Sequence, residues 1–220
     1  MKTFDKTWEQ RYRTIPGNKY PVTEVVKFVF RNYKNREGLT ALDYGCGSGG
    51  NHAWFLAREG FETFAIDGSE TAIEKAKERM SIEDLNVNLK CCDAASTEFE
   101  NDKFDVIIDT LTSTVRKSEI DFVLKECHRI LKNEGRIIST YMLKKGIAGY
   151  GTGVMIEKDT YTDLSEGPYK NAGVVSFWDK SDIINVWAIA GFRDICVEEL
   201  SFTDDDGKVN NGYYVVSAKK

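Results

Sequence analysis

The sequence predicts a doubly wound α/β fold whose mostly parallel, seven-stranded sheet ends in an antiparallel hairpin. Short apolar segments of strand length alternate with amphipathic helical patterns through residues 39–142. The links between these segments are short, as is typical of the units that build parallel sheets. The last two predicted strands, residues 192–200 and 213–218, are separated by a turn-forming sequence and by no helix. They are therefore expected to pair antiparallel.

The N-terminal half of the chain contains three of the predicted strands. Residues 1–19 are polar with scattered aromatic side chains, and they predict no definite element. A helical pattern follows Pro21 and is expected to stop at Gly38, and Ser69 is expected to cap a later helix. The other elements are, in order, a strand at 39–44, a helix at 51–58, a strand at 61–66, a helix with its apolar face at Ala72, Ile73, Ala76 and Met80, and a strand at 87–91.

The C-terminal half supplies the other strands, beginning with residues 104–108 and 136–142. Ser118–Asp121 has the pattern of a capping box for a helix that runs to Leu131, and Gly135 is expected to end this helix. A further helix is predicted at 179–190. The stretch from 144 to 175 is rich in Gly and Tyr and lacks periodicity, so residues 144–176 are interpreted as a segment inserted into a single domain.

Composition excludes several classes of protein. A net charge of −5 argues against a general nucleic-acid surface, which needs a basic face. No apolar run approaches the roughly 18 residues of a membrane span. The chain has an odd number of cysteines, five, and no signal-peptide pattern, so we expect reduced thiols and a cytoplasmic location.

The glycine-rich stretch from Asp43 to Gly50 joins the first strand to its helix. Glycines permit a tight turn and a close approach to a ligand, and the helix start offers unpaired N–H groups. Gly45, Gly47 and Gly50 also satisfy a dinucleotide-binding pattern, which is weak evidence alone. Asp43, two residues before the first glycine, would repel a phosphate and attract an ammonium group.

Four aspartates end four successive predicted strands: Asp43, Asp67, Asp93 and Asp109. Open α/β sheets bind ligands at the carboxyl ends of their strands. Aspartate is also a common turn and cap residue, so any one of the four has a structural explanation. Their common placement favours a ligand site at this edge of the sheet.

Ala-Leu-Asp-Tyr at 41–44, followed by Gly-Cys-Gly-Ser-Gly at 45–49, closely resembles motif I of the class I S-adenosylmethionine-dependent methyltransferases. The resemblance extends from about Trp8 to the C-terminus. It implies a Rossmann-like fold, S-adenosylmethionine as the cofactor and methyl transfer as the reaction. It also implies a cofactor site in which Gly45, Gly47 and Gly49 cradle the methionine and ribose, Asp43 lies near the amino group, Asp67 binds both ribose hydroxyls, and Gly68 packs beside the adenine.

The same resemblance assigns the remaining cofactor contacts. Asp93 would take the adenine amino group while the backbone at Ala94 reads a ring nitrogen, and Asp109 would lie under the transferable methyl. Residues 1–37 would form a helical arm over the cofactor. In that arm the aromatic rings of Trp8 and Tyr12 would attract the sulfonium, and Arg11 would meet a carboxylate. A merely packed N-terminal helix remains an equal alternative for the arm.

The acceptor is less well defined than the cofactor. Asp109 and His52 are the candidate general bases, and residues 144–176 form a candidate cap over the acceptor pocket. The end of the fourth strand lacks the Asn/Asp-Pro-Pro-Tyr motif of methyltransferases that act on DNA bases or glutamine, and no metal-ligand cluster is evident. We therefore expect O- or N-methylation of a small molecule, a sugar or a lipid-linked intermediate.

Two alternatives remain open at this point. The glycine pattern also fits an NAD-dependent oxidoreductase, although Asp43 combined with Gly49, and the lack of a Tyr-x-x-x-Lys motif, disfavour it. A catalytically silent module that only binds the cofactor is the other alternative, because the acceptor site has no unmistakable signature.

Overall fold

A computed structural model describes residues 3–220, which form six helices and ten strands. The helices are α1 Thr7–Thr14, α2 Thr23–Asn32, α3 Asn51–Arg58, α4 Glu70–Ile82, α5 Ile120–Ile130 and α6 Lys180–Ile189. The strands are β1 Thr40–Tyr44, β2 Glu62–Asp67, β3 Val87–Cys91, β4 Phe104–Asp109, β5 Leu131–Leu143, β6 Val154–Glu157, β7 Thr160–Thr162, β8 Val175–Ser176, β9 Arg193–Asp204 and β10 Val209–Lys219. A single 3-10 turn at Thr112–Thr114 follows β4.

The main sheet has seven strands in the order β3-β2-β1-β4-β5-β10-β9. The first five strands are parallel, and β10 runs antiparallel to both β5 and β9. The predicted fold class is therefore confirmed. The strand order reverses between β1 and β4, which is where an open α/β sheet forms a ligand crevice.

Alternation along the central strands divides the core into two layers. Leu42 and Ile107 point to one face and pack in a cluster with Leu124 of α5 and Trp187 of α6. Ala41, Val106 and Ile108 point to the other face, where they pack with residues of α2 and α3. Because both faces are covered, the central strands are apolar throughout, as the sequence indicates.

The local signals around the first two crossovers are confirmed. The helix α3 begins directly after Gly50, whose φ of +50° needs a residue that tolerates the left-handed region. Ser69 caps α4 by accepting a hydrogen bond from the backbone N–H of Ala72 at 3.0 Å. No helix among residues 3–220 has both the length and the apolar character of a membrane span.

Three predictions about element ends are wrong. The helix after Pro21 ends at Asn32 and does not continue to Gly38. The predicted capping box at Ser118–Asp121 does not form, because α5 begins only at Ile120 and its Glu119 N-cap makes no side-chain bond. Gly135 lies within β5 and does not end a helix, since α5 stops at Ile130 and the chain turns directly into the strand.

Residues 144–176 contain more structure than their sequence indicates. They form a small antiparallel sheet in the order β6-β7-β8 over an apolar cluster that includes Leu164, Val175 and Phe177. The buried carboxylate of Asp159 ties this segment down, with Lys145 Nζ 2.7 Å and Lys117 Nζ 3.5 Å away. The strands are too short for a periodic signal, which explains why the sequence does not predict them.

The helix α6 offers a matched test of the core layer that it forms with α5. Ile183 is fully buried, whereas Ile189 on the same helix is 61% exposed. Replacing Ile183 with Ala is expected to lower the free energy of unfolding by about 2–5 kcal/mol, because the transfer energy is lost and a cavity remains. Ile189→Ala is expected to change it by less than about 0.5 kcal/mol. Urea unfolding followed by circular dichroism measures both, and equal effects would contradict the packing described.

Candidate functional site

The loop between β1 and α3 has a backbone that only glycines accommodate well. Gly45 and Gly47 have φ of +84° and +59°. The N–H groups of Gly45 and Cys46 both donate to the carbonyl of Ile66 at 2.9 Å, so the loop is tied to the end of β2. The loop therefore has a fixed shape beside the crevice of the sheet.

Asp43 holds the start of α3 and keeps one oxygen unpaired. Its Oδ2 accepts the N–H of Ala53 at 2.9 Å, and its side chain is fully buried. Its Oδ1 has no hydrogen-bond partner among the described residues, although the Nδ1 of His52 lies 3.7 Å away. A buried, unpaired carboxylate oxygen is costly and suits a donor supplied by a ligand.

Asp67 joins the loop to the start of α4. Its two oxygens accept the N–H groups of Gly47 and Ser69, both at 2.9 Å. Burial raises the pKa of this carboxyl to about 6, even though these N–H groups favour the charged form. Asp67 lines the cavity described below, so its remaining lone pairs can accept hydrogen bonds from a ligand.

Asp93 makes a contact that the resemblance does not imply. Its carboxylate accepts the N–H of Thr3 at 2.8 Å, the hydroxyl of Thr3 at 3.0 Å and the N–H of Ala95 at 2.9 Å. It does not line the cavity, whereas its neighbour Ala94 does. The predicted contact of Asp93 with the cofactor is therefore not supported, because the N-terminal segment occupies this carboxylate.

Asp109 does not have the geometry of a general base or of a cofactor ligand. Its side chain is 1% exposed and accepts hydrogen bonds from the N–H of Leu111 at 3.0 Å, from Ser139 Oγ at 2.6 Å and from Thr112 Oγ1. Burial raises the pKa of this carboxyl. Asp109 lies on the α5 face of the sheet and lines neither chamber of the cavity, so both roles predicted for it are corrected: it anchors the 3-10 turn to β5.

His52 lies in the cavity wall with both ring nitrogens directed at the protein. Its Nε2 accepts the N–H of Val22 at 3.3 Å, which leaves the ring proton on Nδ1, facing Asp43. The ring is 3% exposed. This arrangement does not support a general base and indicates that His52 holds the start of α2.

The N-terminal arm lies across the cavity and is held to α4. Trp8 and Tyr12 pack with ring centroids 5.6 Å apart, and the guanidinium of Arg11 lies 5.3 Å from the centre of the Trp8 ring. Glu9 accepts hydrogen bonds from the hydroxyls of Ser69 and Thr71. The helix that carries the three predicted arm residues is thus clamped over the site.

The arm also approaches the glycine loop at backbone distance. A Cβ built on Gly17 would lie 2.2 Å from the N atom of Gly49, and one on Gly49 would lie 2.1 Å from the carbonyl of Asn18. A Cβ on Gly68 would lie 2.3 Å from the ring of Phe4. Only glycine allows these approaches, so Gly49 and Gly68 seat the arm as well as bordering the cavity.

The cavity has two adjacent chambers whose linings share five residues. The first chamber is lined by residues that include Asp67, Gly68 and Ala94 together with the apolar side chains of Phe4, Leu111 and Val115. The second chamber is bounded by the glycine loop, by His52 at the start of α3 and by side chains from distant segments: Arg11, Val22, Tyr141 and Tyr169. Trp8, Tyr12, Gly45, Thr110 and Tyr169 border both chambers.

Sequence reasoning missed several residues of this cavity. Phe4, Tyr141 and Val115 carry no motif and reach the cavity only through the fold. Tyr169 belongs to the predicted cap segment. Within residues 3–220, no group of three His, Cys, Asp or Glu side chains is arranged to hold a metal ion.

Comparison of the sequence identifies related enzymes. Residues 41–135 match the family described as "Methyltransferase domain". Over 119 residues the chain is 34% identical to the ubiquinone biosynthesis O-methyltransferase of Pelagibacter ubique, covering 53% of this chain and 47% of that protein. This chain spans less than half the length of the curated relatives it matches.

Comparison of the structure shows a shared fold. A SAM-dependent methyltransferase from Methanosarcina mazei superposes with a TM-score of 0.70 at 21% identity, covering 87% of this chain and 96% of that chain. The phosphoethanolamine N-methyltransferase 2 of Haemonchus contortus, solved with phosphomonomethylethanolamine and S-adenosylhomocysteine, superposes with a TM-score of 0.68 at 20% identity, covering 97% of this chain and 56% of that chain. Residues 41–135 thus match a methyltransferase domain, and the fold of the described chain is the one seen in S-adenosylmethionine-dependent methyltransferases.

Proposed function

We propose that this protein transfers a methyl group from S-adenosylmethionine to a small-molecule acceptor. The observation that carries the proposal is the carboxylate of Asp67, which borders the first chamber while two backbone N–H groups fix it in place. A carboxylate held in this way is suited to accept hydrogen bonds from a pair of neighbouring hydroxyls, such as those of a ribose.

The first chamber fits the adenosine part of the cofactor. Asp67 would bind the ribose hydroxyls, and the adenine would lie beside Gly68 and Ala94. Phe4 and Leu111 supply apolar walls for the base. The absence of a side chain at Gly68 leaves room for both the base and the ring of Phe4.

The second chamber fits the methionine part, which carries a carboxylate, an ammonium and a sulfonium. Gly45 and Gly47 would accommodate its close approach to the loop. The carboxylate of Asp43 does not line the chamber, but at the start of the loop it contributes negative charge that favours the ammonium, and Arg11 has a buried Nε without a partner that suits the carboxylate. Trp8 and Tyr12 offer ring faces to the sulfonium.

The protein's contribution to the reaction is positional. Bound S-adenosylmethionine supplies an activated methyl group with a good leaving group. The residues around the second chamber must then align the acceptor with that methyl and keep water out, which is the main requirement for an in-line displacement. The arm serves both purposes, because Trp8 and Tyr12 border both chambers.

A small-molecule acceptor is supported by the arm that lies across the chambers and by the relatives. One curated relative is a ubiquinone biosynthesis O-methyltransferase, and one structural neighbour was solved with phosphomonomethylethanolamine. The site is covered by residues of the arm and by Tyr169, which leaves little access for a macromolecule.

The proposal would fail if titration calorimetry detected no binding of S-adenosylmethionine or S-adenosylhomocysteine. Binding without methyl transfer to any acceptor would instead indicate a silent binding module.

The first prediction from this proposal concerns pH. The ionised form of Asp67 accepts both ribose hydroxyls, whereas the protonated form does not. Because its pKa is about 6, affinity for S-adenosylhomocysteine should be full above pH 7 and fall below pH 6, by up to about tenfold per pH unit. Calorimetric titrations between pH 8 and pH 5 measure this.

Asp67→Asn is the matched control for that prediction. It keeps the size of the side chain but removes the charge and one acceptor oxygen. We expect its affinity at pH 8 to be about 10–100-fold weaker, with most of the pH dependence lost, because charge-assisted hydrogen bonds are stronger than neutral ones. An equal pH slope in the two proteins would show that another group titrates.

The second prediction concerns the clamp on the arm. The hydroxyls of Ser69 and Thr71 lower the pKa of Glu9, so this carboxylate stays ionised at neutral pH. Glu9→Ala should release the arm and speed S-adenosylhomocysteine dissociation by about 3–10-fold, with a smaller effect on association. Glu74 is exposed on α4 and makes no such contact, so Glu74→Ala is the control. Stopped-flow tryptophan fluorescence measures both rates, and unchanged dissociation in Glu9→Ala would refute the clamp.

A further inference from the structure

Two tyrosines from distant segments border the second chamber, which the glycine loop also lines. Tyr141 lies near the end of β5, and Tyr169 belongs to the segment after the small sheet. Burial is the main cause that raises the pKa of both phenols. The negative charge of Glu24 raises the pKa of Tyr141 further, and the nearby phenol of Tyr141 does the same for Tyr169. Both phenols are therefore protonated at neutral pH and can donate hydrogen bonds.

The backbone of Tyr141 shows that its position is constrained. Its φ of +61° lies in the left-handed region, and the other described non-glycine residues with positive φ are all Asp, Asn or Glu. The surroundings impose this conformation: the carbonyl of Tyr141 accepts a hydrogen bond from Ser113, and its ring packs 4.7 Å from that of Tyr213. Such strain persists where structure over-determines it, commonly at functional sites.

The second chamber provides donors but no general base. Among the described residues, the titratable side chains that border it are Arg11, Tyr12, Cys46, His52, Tyr141 and Tyr169. Burial raises the pKa values of the Cys46 thiol and the Tyr12 phenol, so both stay protonated. The lone pair of His52 Nε2 is engaged by Val22, and no Asp or Glu among residues 3–220 lines this chamber.

A chamber with hydrogen-bond donors and no general base limits the chemical class of the acceptor. An alkyl alcohol or a protonated amine would need a group to take its proton, and the chamber has none. An anion needs no base and is stabilised by phenol O–H donors and by the charge of a bound sulfonium. The aromatic walls formed by Tyr12, Tyr141 and Tyr169 suit a flat molecule.

We infer that the acceptor is a planar small molecule with an acidic aromatic thiol or hydroxyl group, bound and methylated as its anion, with Tyr141 and Tyr169 as hydrogen-bond donors. This inference rests on the proposed function. The acceptor sulfur or oxygen forms a bond to the methyl carbon as the carbon–sulfonium bond breaks, and the electron pair of that bond stays on the departing sulfur. A cation and an anion become two neutral groups, and no proton is transferred in the step.

The test is the pH dependence of methyl transfer to substituted thiophenols and phenols of graded acidity, with protein-free reactions subtracted. If the acceptor is deprotonated in solution, the midpoint of kcat/KM against pH will follow the pKa of each acceptor. A midpoint common to all acceptors would reveal a base on the protein and overturn the inference. The two compound series distinguish thiolate from phenolate acceptors.

The failure of this inference is distinguishable from failure of the proposed function. Faster transfer to alkyl alcohols or amines than to any acidic aryl acceptor would overturn the inference and leave the methyltransferase proposal intact. A protein that binds S-adenosylhomocysteine but methylates no member of either aryl series would also overturn it. Loss of cofactor binding itself would count against the proposed function.

Conservative variants test the two donors. Tyr141→Phe and Tyr169→Phe keep the rings and remove the hydroxyls, so each should lower kcat/KM for the anionic acceptor by about tenfold, mainly through KM. Affinity for S-adenosylhomocysteine should stay within about twofold in Tyr141→Phe, because Tyr141 lines only the second chamber and is not assigned to the cofactor. Tyr20, which is 74% exposed, provides the control Tyr20→Phe. Unchanged KM in both chamber variants would refute the donor role.

Discussion

The hydrogen bonds accepted by the Asp67 carboxylate are the constraint on which the site depends. By accepting the N–H groups of Gly47 and Ser69, the carboxylate fixes the glycine loop relative to the start of α4. Ser69 then caps α4 and also meets Glu9, so the same junction determines where the arm lies. The junction is buried, and burial of the Asp67 charge is unfavourable, which is why the pKa of this carboxyl is raised to about 6. Hydrogen-bond donors from a ligand would offset this unfavourable burial.

The four aspartates at the strand ends divide according to the face of the sheet. Asp43 pairs in register with Ile108 and Tyr44 with Asp109, so Asp43 and Asp109 point to opposite faces of the sheet. Asp43 and Asp67 lie on the side of α3 and α4 and border the loop, while Asp109 lies on the α5 side among hydroxyl donors. Asp93 follows its strand and faces the arm. An aspartate at the end of a strand therefore need not face the ligand site. The face of the sheet to which its side chain points decides whether it can do so.

The sequence predicts the parts of the molecule that depend on local patterns. The alternation of strands and helices, Ser69 as a cap and the loop from Asp43 follow from periodicity, turn chemistry and a motif within one crossover. The small sheet within 144–176 was missed because its strands have two to four residues. The contact of Thr3 with Asp93 spans 90 positions, and no local rule anticipates it. Tyr141 likewise reaches the second chamber only through the fold, since no local pattern marks it.

The arm makes the cofactor site and the acceptor chamber parts of one structure. Asp5 accepts the N–H of Val174 at 2.7 Å, and Arg11 donates to the carbonyls of Lys170 and Asn171 at 3.2 and 3.1 Å, so the arm holds the segment that carries Tyr169. The arm also covers the loop that receives the methionine part. Moving it away for cofactor entry would break these contacts and leave the second chamber without two of its walls. If the proposed function holds, an acceptor would meet a complete chamber only with the cofactor bound and the arm closed, so binding of the cofactor first is the expected order.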